Sequence, residues 1–192
     1  MEAIGAVAGA GWASGINLYL VALLLGVLGR AGWADIPDVF ERTDVMVVAG
    51  VLFALEFVVD KVPYLDNLWD AIHTVVRPLG AAALGAVLAG QSSSIGAALG
   101  AIVAGALAFD AHAAKATTRL AVNTSPEPVS NLGLSLFEDL SVAGLVVLAV
   151  TYPVVTVVVV VVLVVFATAL TLWLFRVARR GWGRVRARFG GP

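Results

Sequence analysis

The stretch that decides the fold is residues 56–78, Glu-Phe-Val-Val-Asp-Lys-Val-Pro-Tyr-Leu-Asp-Asn-Leu-Trp-Asp-Ala-Ile-His-Thr-Val-Val-Arg-Pro. Read as a helix, its second half gathers four ionisable side chains at i, i+4, i+7 and i+11 on one narrow face: Asp66, Asp70, His73 and Arg77. The opposite face carries only apolar side chains: Leu68, Trp69, Ile72, Val75 and Val76. Such a two-sided helix needs protein, water or a solute beside its polar stripe.

The composition around this helix is that of a membrane protein. Of the 192 residues, 60% are hydrophobic and 13% charged, and the mean hydropathy is +0.98. Uncharged runs long enough to cross about 30 Å of hydrocarbon recur along the chain. We therefore predict an all-α, polytopic membrane helix bundle. The chain has no cysteine, which excludes disulfides, thiolate metal sites and a cysteine nucleophile.

About six spans are expected, at 3–28, 45–59, 66–90, 95–119, 131–150 and 154–175. A broken or re-entrant helix near 62–78 is the alternative to a full span there, because Pro63 and Pro78 bracket the stripe. In the first segment, glycines and the polar Ser14-Gly15-Ile16-Asn17 at mid-membrane depth predict a closely packed or broken helix. The Val-rich last span is expected to face lipid.

The charge distribution predicts the topology. Six of the 12 Lys and Arg residues lie in a basic tail directly after the last span: Arg176, Arg179, Arg180, Arg184, Arg186 and Arg188. Such a segment stays cytoplasmic and attracts anionic lipids rather than nucleic acid. We therefore divide the chain into a membrane domain, 1–175, and a cytoplasmic tail, 176–192. With six spans, both termini are expected in the cytoplasm.

Two further polar stripes accompany the first. One holds His112, Lys115 and Arg119, and the other holds Asn131, Ser135 and Glu138 with Asp139 beside them. A charge facing the lipid at mid-membrane costs about 2.5–3.5 kcal/mol, so the stripes should face one another. We predict one polar cavity open toward the cytoplasm, with ion pairs such as Asp70–Lys115 and Glu138–Arg77.

The candidate site residues follow from these stripes. A solute would be bound by six residues: Asn17, Glu56, Asp66, Asp70, His73 and Glu138. Gating or anion binding is assigned to five others: Lys61, Arg77, Lys115, Arg119 and Asn123. Asp66, Asp70 and His73 have usable metal-ligand spacing, but Arg77 one turn away repels a metal ion. We expect no cofactor and find no catalytic motif, so an enzyme is not predicted.

Three functions remain open. The first is a channel or secondary transporter for a small ion or polar solute, with a cation favoured by the acidic residues. The second is binding or translocation of an anionic lipid headgroup, a phospholipid or polyprenyl phosphate, at the basic residues. The third is a non-transporting scaffold in which polar pairs only join helices. In each case a homo-oligomer is expected.

Several motifs together carry a resemblance that covers nearly the whole chain except the arginine tail. They lie at 13–17, 56–63, 66–78, 111–115 and 121–128. Taken as a set, they resemble an uncharacterised bacterial integral-membrane family, domain of unknown function 4126. The resemblance implies a multi-pass protein of the bacterial plasma membrane and supplies no activity. Asp110 departs from the family pattern and is not counted among the site residues.

Overall fold

The fold is entirely helical in the part of the chain that the computed structural model describes, residues 2–62, 64–90, 93–124 and 128–189. Its helices are α1 (Glu2–Arg30), α2 (Asp38–Glu41), α3 (Thr43–Val59), α4 (Leu65–Gly90), α5 (Ser94–Val122), α6 (Pro128–Thr151) and α7 (Pro153–Phe189). The predicted all-α membrane helix bundle is confirmed. Pro63, expected to end the second span, and residues 125–127 and 190–192 lie outside the described residues.

Among the described residues, five helices have the length and hydropathy needed to cross a membrane: α1, α4, α5, α6 and α7. Helix α3 has 17 residues, about 26 Å at 1.5 Å per residue, slightly short of a typical hydrocarbon core. Helix α7 buries little of its surface, and Val161, Val162 and Phe166 are exposed, as expected for a lipid-facing helix. It runs unbroken past residue 175, so the basic tail continues this helix.

Helix α4 is continuous from Leu65 to Gly90, with Pro78 inside it. The alternative of a re-entrant segment at 62–78 is therefore wrong. The second half of α4 packs closely against α5. A Cβ atom added to Gly85 would lie 2.3 Å from the Gly100 carbonyl oxygen, and a Cβ atom added to Gly100 would lie 2.3 Å from the Gly85 carbonyl oxygen. Only glycine at both positions permits this contact, which fixes the relative height of α4 and α5.

Helix α1 is broken at Asn17, whose backbone is extended (φ −149°, ψ 94°). Its first half descends along α5 and α7: Gly5 lies against Pro153, and Gly15 against Ala108. Its second half runs back along α2 and α3, where Gly26 lies against Phe40 of α2 and Met46 of α3. These contacts indicate that the chain reverses direction at the break.

Both ends of α1 lie at the same end of the bundle. Ala3 and Ala6 line one pocket together with residues 33–37 and Leu88, and Arg30 donates a hydrogen bond to Thr43 at the start of α3. Helix α1 is therefore a re-entrant hairpin whose turn reaches the middle of the bundle, and not the single span expected at 3–28. We call the end that holds Ala3 the N-terminal end of the bundle.

The remaining long helices alternate in direction. Helix α7 starts beside Gly5 at the N-terminal end and runs toward the opposite end, where Lys61 and Thr124 lie. We call this opposite end the C-terminal end of the bundle. The start of α1 and the basic end of α7 therefore lie at opposite ends, in contrast to the expectation that both termini share one side. The cause is the hairpin, which enters the bundle without crossing it.

Candidate functional site

Eight ionisable side chains form one buried group where the turn of α1 meets α3, α4, α5 and α6. We call this group the charge cluster: Glu56, Asp60, Asp66, Asp70, Arg77, Lys115, Arg119 and Glu138. None of these residues is more than 7% exposed. The three stripes read from the sequence therefore do meet. They form a closed cluster, however, and not an open polar cavity, because basic side chains fill the space between the carboxylates.

Arg77 joins α4 to α3 and α1. One guanidinium nitrogen donates to Glu56 Oε1, and the other donates to Asp70 Oδ1 at 3.0 Å and to the carbonyl oxygen of Gly15 at 3.4 Å. Asp70 thus pairs with the arginine two turns along its own helix. In the described residues Asp70 forms its ion pair with Arg77, which takes the place of the predicted pair with Lys115.

Lys115 lies at the centre of the cluster. Its Nζ donates to Asp60 Oδ2 at 2.6 Å and to the carbonyl oxygen of Ile16 at 3.1 Å. Glu138 Oε2 at 3.5 Å and Glu56 Oε1 at 3.6 Å complete its surroundings. Three carboxylates and one backbone carbonyl therefore surround a single ammonium group.

Arg119 ties the cluster together at its C-terminal side. It donates to Glu138 Oε2 at 2.6 Å and to the carbonyl oxygen of Asp60 at 2.6 Å. Asp66 lies 3.5 Å from the same guanidinium and accepts two bonds from Asn123 Nδ2, at 2.9 and 3.0 Å. Glu138 thus pairs with Arg119 and Lys115, and the predicted Glu138–Arg77 pair is wrong. Arg77 is instead bonded to Glu56, Asp70 and the Gly15 carbonyl.

The turn of α1 is held by its own polar side chains. Asn17 Oδ1 accepts from the backbone N–H of Leu20 at 2.9 Å, which caps the second half-helix. Its Nδ2 donates to Asp139 Oδ1 at 3.1 Å. The break also frees the carbonyl groups of Gly15 and Ile16, which accept from Arg77 and Lys115 as described above. Asn17 therefore shapes the site, and the cluster satisfies the broken backbone.

His73 is a hydrogen-bonding group on the edge of the cluster, and the partners of its two nitrogens assign the tautomer of the neutral ring. Its Nδ1 lies 2.8 Å from the Trp69 carbonyl oxygen, which can only accept, so Nδ1 carries the hydrogen. The Tyr19 hydroxyl then donates to Nε2 at 3.0 Å.

His112 has the opposite tautomer. Arg77 donates to its Nδ1 at 2.7 Å, so the hydrogen is on Nε2, which donates to the Thr74 hydroxyl at 3.1 Å. A proton added to Nδ1 would face the Arg77 guanidinium directly. His112 therefore stays neutral while Arg77 is in place.

The cluster holds five carboxylates against three basic groups, a formal excess of two negative charges. One oxygen of each of three carboxylates is buried without a hydrogen-bond partner among the described residues: Glu56 Oε2, Asp60 Oδ1 and Asp70 Oδ2. Asp60 lies in the connection after α3. Burial there acts to raise the pKa of its carboxyl, but Lys115 and Arg119 outweigh burial and hold that pKa below its ordinary value.

Asp60 is the cluster residue that the sequence reasoning missed. The predicted second span ends at residue 59, directly before Asp60. In the structure, Asp60 contacts both Lys115 and Arg119. The signal was its spacing, because Asp60 follows Glu56 by four residues and so continues the same helix face.

Two assignments from the sequence lie outside this arrangement. Lys61 points away from the cluster and donates to the Phe57 carbonyl at 2.7 Å and to Ser135 at 3.3 Å. No group of three metal-ligating side chains occurs in the described part of the chain, and Asp66, Asp70 and His73 each have separate partners. The residues suggested for a metal ion therefore do not form a coordination shell.

A cavity of about 450 Å³ adjoins the cluster between α1, α5, α6 and α7. Lys115 and Glu138 border it at one place, while apolar side chains such as Trp12, Phe137 and Phe166 form most of its wall. The cluster therefore has free space beside two of its residues, Lys115 and Glu138.

A protein-family comparison agrees with this fold and these motifs. The family described as Domain of unknown function (DUF4126) matches residues 4–173. The chain belongs to this family. No curated protein and no solved structure matches it. The matched region of this DUF4126 member contains the α1 hairpin, the whole charge cluster and the adjoining cavity.

Proposed function

We propose that this protein transports a small cation across the membrane through the charge cluster. The observation that carries the proposal is the excess of buried carboxylates at the turn of a broken, re-entrant helix. Irregular backbone at membrane depth is tolerated where it is buried in protein or lines a water-filled cavity, and half-helix ends with free carbonyls coordinate cations in known transporters. Buried ionisable groups inside a membrane bundle mark such paths.

The charge balance favours a cation over an anionic lipid headgroup. All three basic side chains of the cluster are already paired with carboxylates, so a phosphate would have to displace those partners. A cation instead meets carboxylate oxygens that have no other partner among the described residues.

For the localisation we propose a bacterial plasma membrane with the basic end of α7 in the cytoplasm, as the positive-inside rule requires. The N-terminal end of the bundle then faces outward. Its loop carries more acidic than basic residues: Arg30, Asp35, Asp38, Glu41, Arg42 and Asp44. The re-entrant hairpin would thus enter from outside, and the charge cluster would lie between its turn and the cytoplasmic surface.

Flux in reconstituted liposomes tests the proposal. Purified protein should dissipate an imposed gradient of K⁺, Na⁺ or NH₄⁺, and Asp70→Asn should lower the initial rate by about tenfold or more, because a hydrogen bond to a charged group contributes about 1.5–3 kcal/mol. Asp110→Asn is the matched control. Asp110 accepts from Thr168 on α7 and lies outside the cluster, so its rate should stay at the wild-type level.

Equal flux from protein-containing and empty liposomes would contradict transport. If Lys115→Ala and Arg119→Ala then abolished the co-purification of a phospholipid or polyprenyl phosphate, the lipid-headgroup function would replace it. If no lipid depended on those residues and stable protein partners were captured, the scaffold function would be favoured.

A further inference from the structure

The surroundings of Lys115 Nζ have the form of a cation-binding site that already holds a cation. Oxygens of Asp60, Glu56 and Glu138 and the carbonyl oxygen of Ile16 lie at 2.6–3.6 Å from the nitrogen. These ligands come from the connection after α3, from α3 itself, from α6 and from the turn of α1. No other basic side chain makes this set of contacts within the described residues, so the site is centred on the ammonium group.

A second observation points to a ligand other than Lys115. The second oxygens of Glu56 and Asp60 are buried and have no hydrogen-bond partner among the described residues, although both residues are at most 2% exposed. One ammonium group therefore leaves part of the ligand set unused. Buried carboxylate oxygens without a partner carry a large desolvation cost. A lysine ammonium has only three donor hydrogens, so a cation that replaces it and takes more oxygen ligands would offset part of this cost.

The oxygens around Lys115 Nζ are spaced for the ammonium group that they hold, at 2.6–3.6 Å. Mg²⁺ is held by oxygens at about 2.0–2.1 Å and Ca²⁺ at about 2.3–2.6 Å, mostly shorter than the 2.6–3.6 Å found here. The cage is thus sized for an ammonium-like monovalent cation. The absence of a three-ligand group of His, Cys, Asp and Glu in the described part of the chain agrees with this choice.

The side chain of Lys115 lies beside free space. It borders the cavity of about 450 Å³ between α1, α5, α6 and α7. A lysine side chain is flexible, so its ammonium can leave the cage while its backbone stays in α5. Glu138 borders the same cavity and offers the displaced ammonium a partner there.

We propose that the position of Lys115 Nζ is a binding site for a monovalent cation of ammonium or potassium size, which replaces the lysine ammonium when that side chain turns into the adjoining cavity. Lys115 acts in this mechanism as a covalently attached competitor, whose ammonium supplies the positive charge at this position between binding events. This inference rests on the proposed cation transport and names the substrate class of the same site.

The test is chemical rescue of Lys115→Ala, which removes the ammonium and leaves the oxygen ligands. In detergent, the melting temperature of this variant should be about 5 °C or more higher in NH₄⁺, methylammonium or K⁺ chloride than in choline chloride at equal ionic strength. Choline is too large for the cage. Lys115→Met, which fills the site with a neutral chain of similar length, should show no such difference.

Lys61→Ala is the matched control, because Lys61 lies outside the cage and bonds to Phe57 and Ser135. Its melting temperature should not depend on which of these cations is present. Should Lys115→Ala not survive extraction in choline, the yield of monodisperse protein extracted in methylammonium compared with choline gives the same readout.

The proposal is overturned if the melting temperature of Lys115→Ala is the same in all these salts, or if Lys61→Ala responds equally. The assay measures equilibrium binding in detergent and needs no flux. A cation-rescued variant without liposome transport would therefore keep the site and reject the transport function. Liposome transport without cation rescue of Lys115→Ala would keep the transport function and reject the site.

Discussion

At the scale of single residues, the protein places charges where an isolated charge would be prohibitive. Arg77 and Arg119 are completely buried, and each contacts two or more carboxylates. Each buried charge is compensated only while its partner is present, because removing one partner leaves the other buried and uncompensated. Stability and site charge therefore depend on the same residues.

Arg77→Met is expected to destabilise the protein by about 3–5 kcal/mol, because Glu56 and Asp70 would lose their shared partner. Thermal unfolding in detergent measures this change. Arg42→Met is the control: its pair with Asp44 is more than 60% exposed on both sides and screened by solvent, so its melting temperature should match the wild type. Equal melting temperatures for both variants would show that the buried pairs do not stabilise the fold.

At the scale of elements, the α1 hairpin organises the site. Its turn delivers two backbone carbonyls to the cluster and places Asn17 beside Asp139, while its first half packs closely against α5. Small residues make this approach possible. A Cβ atom at Gly15 would lie 2.2 Å from the Ala108 carbonyl oxygen, and backbone on both sides leaves little room to adjust.

Gly15→Ala should therefore destabilise the fold by about 1–3 kcal/mol, the usual cost of overpacking, and should also lower cation flux by shifting the turn. Gly50→Ala in α3 is the control, since a Cβ atom there meets nothing within 4 Å. It should be neutral or slightly stabilising, as alanine favours helix over glycine. Unfolding and liposome flux, measured on both variants, check this prediction; a Gly15→Ala protein as stable and active as Gly50→Ala would contradict it.

At the scale of the whole molecule, the hairpin changes the topology. Helices α3 to α7 alternate in direction, and α1 starts and finishes at one end of the bundle. Ala3 and the basic end of α7 therefore lie at opposite ends. The lipid-facing surface is provided largely by α7 and by the outer faces of α4, α5 and α6, whose buried fractions are low.

Labelling of single cysteines from one side of the membrane tests this topology, and the chain offers a cysteine-free background. Ala3→Cys and Asp35→Cys should react with a membrane-impermeant maleimide from the same side, since both positions line one pocket. Arg180→Cys should react only from the other side. If Ala3→Cys and Arg180→Cys reacted from the same side, α1 would have to cross the membrane.

Sequence reasoning determined the membrane class, the helical fold and seven of the eight residues of the cluster, because these depend on local properties. Hydropathy marks apolar helices, and helical periodicity places Asp66, Asp70, His73 and Arg77 on one face, where the structure buries all four. The polar break at 14–17 was also visible. Asp60 was missed because the predicted second span ends at residue 59. It follows Glu56 by four residues and so lies on the same helix face.

Only the tertiary structure decided the direction of α1 after Asn17, the partner of each charge and the closure of the cluster. A break in a helix shows where the chain can turn, but the angle is set by packing against α3 and α5. Ion pairs likewise depend on the relative height of helices, which the Gly85–Gly100 contact and similar close approaches determine. Such heights are properties of two surfaces in contact, and no single helix records them in its own pattern of residues.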